Sequence, residues 1–282
     1  MKLGSFTIGI CDWSLRPSST HELVTLLQEI GLSHVQLNLA PLLKIPDAAA
    51  RAEVLKPLTD AGIGVTAGMI CFEGENYASI AAIRRTGGFV PNDTWPARRQ
   101  KAIDAAHFAA DIGVGRVSTH VGFVPPSADS MYSQIVGRIS DVATEFRKVG
   151  VDLLMESGQE RATDLLQFIN DLNCPNVGVN FDPANMILYG AGDPIEAIAM
   201  LGRHIRHVHV KDAIGSAQPT LEWGKEVPVG DGDVDLHAFL RSLVDVGYTG
   251  PLVIEREAGN NRVADISGAI DRLEAHLGER TE

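Results

Sequence analysis

Cysteine is scarce in this sequence: Cys11, Cys71 and Cys174 are odd in number, far apart and free of any C-x-x-C spacing. That argues against a disulfide framework or a thiolate zinc site and for a reducing compartment. Long apolar runs are missing as well. None approaches the roughly 18 residues of a membrane helix, and Met1-Lys2-Leu3-Gly4-Ser5-Phe6-Thr7-Ile8 has no apolar signal-peptide core. A cytoplasmic protein with no membrane partner is therefore expected. Positive charge is in deficit, 24 Lys and Arg against 36 Asp and Glu for a net charge of −12. An acidic field slows approach to a phosphate backbone, so no nucleic-acid partner is expected. Familiar motifs are absent too. No G-x-G-x-x-G follows an early strand, His21-Glu22 lacks the second histidine of a metalloprotease helix, and Ser157 lacks the context of a nucleophile elbow.

What is present is length and order. At 282 residues, 45% hydrophobic and 21% charged, the chain suits either two ordinary domains or one large α/β barrel. Short apolar runs alternate with helix-period segments throughout. Strands are predicted at Phe6–Ile10, His34–Leu39, Ile63–Ile70, Arg116–His120, Val151–Glu156, Val177–Asp182, Ile205–Val210 and Pro251–Glu255. The first helix follows the Ser18-Ser19-Thr20 cap signal and carries Leu23, Leu26, Leu27 and Ile30 before Gly31. The others fall at Ala48–Ala61, Pro96–Asp111, Ser130–Val149, Ala162–Leu172, Pro194–Leu201, Asp235–Val246 and Arg262–Leu277. Residues 71–94 form a long loop, expected as a lid or part of a binding wall. No Pro/Ser-rich linker interrupts the series. Right-handed crossovers then predict a single (β/α)8 TIM barrel, one domain over residues 1–282.

The stretch Ile205-Arg206-His207-Val208-His209-Val210-Lys211-Asp212 alternates, with His207, His209 and Lys211 on one face and Val208 and Val210 on the other. Catalytic groups of a barrel belong at the C-terminal ends of its strands. Those ends carry His120, Glu156, Asp182, His209 and Glu255. A buried carboxylate costs several kcal/mol unless it is paired or holds a metal, so Glu156, Asp182, His209 and Glu255 together read as one cation site. Three carboxylates, one imidazole and no thiolate suit one divalent ion, Mn²⁺ first and Mg²⁺, Co²⁺ or Zn²⁺ after it. His207 is expected deeper in the barrel, below the ion, and Cys11 as a small buried apolar group. Asp231, Asp233 and Asp235 open like a calcium loop, but Leu236 stands where glycine is required and Ser242 where the bidentate glutamate belongs. An acidic turn capping the next helix is expected instead.

In order, Leu-Met-Glu156, Phe-Asp182-Pro, His207-Val-His209-Val-Lys211-Asp212, Pro-Val-Gly230-Asp-Gly-Asp-Val-Asp235 and Gly247-Tyr-Thr-Gly-Pro-Leu-Val-Ile-Glu255-Arg-Glu257 resemble the xylose isomerase-like TIM-barrel superfamily, in its sugar phosphate isomerase/epimerase branch. The likeness covers nearly the whole chain and is strongest over residues 150–257. It implies that Glu156, Asp182, His209 and Glu255 hold one divalent metal. Two positions depart from the pattern: Asn185 replaces a histidine that contacts substrate or a second metal in many relatives, and Gln36 and Asn38 stand where many have a glutamate in the second strand.

The expected reaction is isomerisation or epimerisation of a small keto-sugar or its phosphate. A metal-chelated ketose has an acidified α-proton, which Glu156 abstracts from one face of the ene-diolate and Glu255 returns on the other. Loss of a β-hydroxyl from the same intermediate gives the alternative, a sugar lyase or dehydratase of the inosose or keto-sugar type. A superfamily endonuclease with a three-zinc cluster is the third reading, and Asn185 and the negative charge count against it. His120, Asn185, Lys211 and Glu257 are expected to contact substrate, with Trp13 and Phe72 as an apolar wall. Arg84, Arg85, Arg161 and Lys225 are the cations available to a phosphate. A homo-oligomer, dimer or tetramer, is expected.

Overall fold

Parallel strands covered on both faces read as near-continuous apolar runs, and the eight runs of this chain form one closed parallel barrel. In the computed structural model, which describes residues 1–278 and the backbone of 280–281, the strands are β1 Phe6–Cys11, β2 His34–Asn38, β3 Gly64–Met69, β4 Arg116–Thr119, β5 Asp152–Glu156, β6 Val177–Phe181, β7 Ile205–Val210 and β8 Leu252–Ile254. Each pairs with the next in sequence, and β8 closes the ring on β1 through Ile8↔Leu252 and Ile10↔Ile254. The helices α1 Thr20–Glu29, α2 Ala48–Asp60, α3 Trp95–Asp111, α4 Tyr132–Lys148, α5 Ala162–Leu172, α6 Pro194–Leu201, α7 Leu236–Asp245 and α8 Arg262–Leu277 surround it. Fully buried Phe146, Phe168, Phe181 and Phe239 fill the layer between helices and barrel; each such side chain contributes about 1.5–3 kcal/mol of burial. No helix among the described residues is long and apolar enough to cross a membrane.

Capping side chains fix where several helices start. Ser19 accepts from Glu22 N, Asp47 from Ala49 N and Ala50 N, and Asp193 from Ile195 N and Glu196 N. Asp235 accepts from Ala238 N, so the acidic turn does cap α7. That turn is itself gathered around buried Asp212, which takes the backbone N–H groups of Gly230 at 2.8 Å, Gly232 at 2.9 Å and Val234 at 3.1 Å.

The structure adds elements that periodicity did not predict. Helices Asp12–Leu15, Pro183–Tyr189 and Ile80–Thr86 are too short to show a hydrophobic stripe, and the hairpin Asp212–Ile214 with Lys225–Val227 has three-residue arms. The loop over 71–94 is fixed as a wall. Buried Arg98 of α3 donates to Thr86 O at 2.7 Å and Glu73 O at 3.0 Å, and buried Arg138 of α4 donates to Phe89 O and Val90 O at 2.8 Å. Gly88, at φ +56°, lets the loop touch down: a Cβ there would lie 2.0 Å from Val121 C, so only glycine fits.

Candidate metal centre and active-site cavity

Strand alternation sets the depth of each group in β7. His207 and His209 point into the barrel, while Arg206 points out to a 2.7 Å ion pair with Asp152. His207, one layer down, bonds Asn180 Oδ1 at 2.8 Å and Thr66 Oγ1 at 3.1 Å. Burial and the nearby His209 push its pKa well below the usual histidine value. It is a neutral structural histidine, as the sequence suggests.

His209 sits above it at the mouth, fully buried. Its Nδ1 lies 3.3 Å from Glu156 Oε1, 3.4 Å from Asp182 Oδ2 and 3.3 Å from Glu255 Oε2. The four ligand-type atoms all fall within 4.8 Å of one another. On its other edge, Nε2 is 2.7 Å from Gln36 Oε1 and 3.1 Å from Asn180 Nδ2. A carbonyl oxygen only accepts, so the shorter contact keeps a ring proton on Nε2, and Nδ1 is the nitrogen that faces the three carboxylate oxygens and can ligate once it carries no proton. The register shifts of the sheet fall just before Gln36 and Asn180, and such bulges re-aim side chains beside sites.

This arrangement fits a divalent cation. Nδ1 of His209, Oδ2 of Asp182 and Oε2 of Glu156 are buried without a hydrogen-bond partner, and one imidazole nitrogen with three carboxylate oxygens converging on one point is a donor set that suits a cation. Their spacing resembles that of neighbouring ligands on an ion with bonds of about 2.1 Å. Each carboxylate turns one oxygen to this centre; the outer oxygens of Asp182 and Glu255 are hydrogen-bonded, and that of Glu156 has only an ion-pair contact. Glu156 Oε2 lies 3.1 Å from His120 Nε2, Asp182 Oδ1 caps the short helix at Asn185 N with 2.9 Å, and Glu255 Oε1 accepts from Trp13 Nε1 at 2.8 Å. Asn185 Nδ2 adds a 3.2 Å bond to Glu156 Oε1. Its close approach requires Gly158, at φ +133°, where a Cβ would meet Asn185 Cβ at 2.3 Å.

Lys211, buried, supplies the local counter-charge. Its Nζ donates to Glu255 Oε2 and Glu257 Oε2, both at 2.8 Å, and lies 3.9 Å from Asp182 Oδ2. Burial alone lowers a lysine pKa, but Glu255, Glu257 and Asp182 outweigh it and hold the ammonium well above its ordinary value. Burial likewise opposes ionisation of Glu255, yet Lys211 and His209 hold its carboxyl well below the usual range. At Asp182 burial wins and the pKa rises. His209 is pulled down by burial and up by Glu255 and its neighbours, with a net rise well above the usual value. Cys11 Sγ lies by the Nε2 edge, 3.7 Å away, and within 4.8 Å of a Glu255 oxygen; burial pushes its thiol up, and it is a small buried filler, as expected.

Above the centre opens a cavity of about 710 Å³, a size typical of small-molecule sites. Trp13, His120, Glu156, Asn185, Lys211, Glu255 and Glu257 line it. Phe72 does not. It packs against Phe89 with ring centroids 5.0 Å apart, under the Arg98 guanidinium, because the loop turns it into the core. The apolar wall is instead Tyr77, Tyr189 and Trp223 with Met69 and Leu188. Sequence reasoning missed these three aromatics, since they lie in loops and a short helix without periodicity. It also gave no role to Glu226, which accepts from Arg256 Nη1 at 2.6 Å and from the backbone N–H groups of Glu257 and Ala258.

The fold and centre define a class of protein: a (β/α)8 barrel whose last four strands carry Glu, Asp, His and Glu to one cation-type site. The family model described as xylose isomerase-like TIM barrel matches residues 24–276, and the chain belongs to that family. A xylose isomerase domain protein of Planctomyces limnophilus, known from its crystal structure, is 36% identical with a TM-score of 0.87, over 98% of this chain and 99% of that one. L-ribulose-5-phosphate 3-epimerase UlaE of Salmonella typhi is 25% identical over 73% of this chain and 78% of its own. A ketose 3-epimerase of Arthrobacter globiformis is 25% identical over 47% of this chain. Against three curated relatives including the latter, the match spans only 43% to 60% of their length.

Proposed function

We propose that this protein is a divalent-metal-dependent isomerase or epimerase of a small keto-sugar. The observation that carries the reading is the pair Glu156 and Glu255, each with one oxygen at the shared centre and the other at the cavity wall. Two relatives bear the names of ketose epimerases. Glu156, Asp182, His209 and Glu255 would hold the ion, with Mn²⁺ our first assignment because the set is oxygen-rich with no thiolate ligand. When bound, a divalent ion polarises a substrate carbonyl and stabilises negative charge that develops beside it.

The chain's own groups do the rest. Glu255 stays ionised because Lys211 and His209 favour its charge, which suits it to accept a proton. Burial pushes Glu156 up, and His120 and His209 outweigh this to hold its carboxyl below the ordinary value. Trp13 holds the outer oxygen of Glu255 by a hydrogen bond, and His120 lies 3.1 Å from that of Glu156 as its ion-pair partner, beside the cavity. Proton removal by one and return by the other changes configuration at the α-carbon or moves the carbonyl. The test is solvent exchange: Mn²⁺-loaded protein in D₂O should place deuterium at the α-carbon of a ketose, and Glu156→Gln should abolish it. Absence of exchange across a panel of ketoses would end this reading.

A further inference from the structure

The cavity wall says which keto-sugars can enter. Among the described residues no arginine lines it and its one lysine is Lys211, whose Nζ is already bonded to Glu255 and Glu257 and lies 4.0 Å from Glu226. The cations that could have met a phosphate are elsewhere. Arg84, Arg85, Arg161 and Lys225 are exposed and outside the lining, with Arg84 set over the Phe123 ring. Arg16 and Arg262 line a separate groove with Gly259, Asn260 and Asn261. Meanwhile Glu156, Glu226, Glu255 and Glu257 line the cavity, and Asp182 lies buried beside Glu156 and Glu255 beneath it. Lys211, Arg256 and the two charges of a bound ion leave these five carboxylates in excess.

The opposite wall is built for something uncharged. Tyr189 and Trp223 meet edge to face with centroids 4.6 Å apart, Tyr77 stands beside His120, and Leu188 and Met69 fill between. Such faces pack on the C–H side of a sugar.

We propose that the substrate is an unphosphorylated, neutral keto-sugar and that the acid-rich wall excludes phosphate esters. A dianion brought against carboxylates with no free cation to receive it meets like-charge repulsion that suppresses the wrong partner. This rests on the sugar isomerase reading above.

The experiment uses matched pairs: D-fructose and D-fructose 6-phosphate, D-tagatose and its 6-phosphate, D-ribulose and its 5-phosphate. Binding to the Mg²⁺-loaded protein is measured by calorimetry and thermal shift, and α-deuterium exchange is followed in parallel. The expected result is at least one free sugar that binds on the order of 100-fold more tightly than its phosphate. The discrimination should shrink as salt is raised from about 0.01 M to 1 M, since screening shortens the field from roughly 30 Å to 3 Å. Tighter binding of free sugars without exchange would uphold the proposal and count against proton transfer alone. Phosphate esters that bind as well as free sugars, or a panel in which no free sugar binds, would overturn it.

Discussion

Gln36→Leu isolates the part of the centre that no metal ligand supplies. Gln36 is fully buried, and its Oε1 at 2.7 Å is what holds the His209 proton on Nε2. Leucine has similar bulk and no acceptor. Without it, the nearest polar neighbour of Nε2 is Asn180 Nδ2 at 3.1 Å, a donor. The ring then favours the tautomer with its proton on Nδ1, bonded to the carboxylates and unable to ligate. Loss of an outer partner of a ligating histidine costs about 10- to 100-fold in metal affinity, equivalent to about 1.4–2.8 kcal/mol. Gln36→Glu keeps the acceptor and adds charge, so it should restore tight binding. Mn²⁺ titration by calorimetry measures both, with circular dichroism to confirm the fold. An affinity for Gln36→Leu within about twofold of wild type would show that the tautomer is not set by Gln36 and would refute this reasoning.

Lys211→Met leaves Glu255 buried beside unneutralised carboxylates. The cost of breaking a buried pair is about 3–5 kcal/mol, taken at the lower end because Glu257 is 55% exposed; urea unfolding in EDTA should show it, and saturating Mn²⁺ should shrink it. Unchanged stability in EDTA would count against the counter-charge role. The raised pKa of His209 means the metal-free ring is protonated through neutral pH, so metal must displace a proton. Affinity should fall about tenfold per pH unit below the raised value, and calorimetry in buffers of different ionisation enthalpy should detect the released proton. Glu160, which takes Val124 N at 2.9 Å, is pushed up to about 7 by burial. A folded-state pKa above the unfolded value near 4.5 means the native state binds the extra proton, so stability declines as pH rises from 4.5 to 7. Glu160→Gln keeps the acceptor and should flatten that slope; an unchanged slope would place the titration elsewhere.

The barrel, and the meeting of Glu156, Asp182, His209 and Glu255 at one point, were legible because both follow from period and position. Eight apolar runs separated by helix-period segments leave one closed architecture, and a carboxylate after a buried run has few roles besides pairing or ligation. The helices α5, α6 and α8 even matched their predicted ends, because Pro194 and the strong stripe of Leu165, Phe168 and Ile169 mark them. Other features depend on contacts far apart in sequence. Phe72 was misplaced because its direction is set by Glu75, which bonds Phe72 N and Gly88 N and curls the loop. Gln36 and Asn180 are polar residues inside apolar strands, a signal that was visible but silent about which histidine they meet. Tyr77, Tyr189 and Trp223 reach the cavity from three separate connections, and only the fold brings them together.

The most direct test of the central claim is metal stoichiometry. Protein saturated with Mn²⁺ and desalted should carry one ion per chain by elemental analysis, and Glu255→Gln and His209→Ala should carry essentially none while keeping the barrel's circular dichroism. Three ions per chain, or no ion in the wild type, or full retention by both variants, would contradict a single cation site built from Glu156, Asp182, His209 and Glu255.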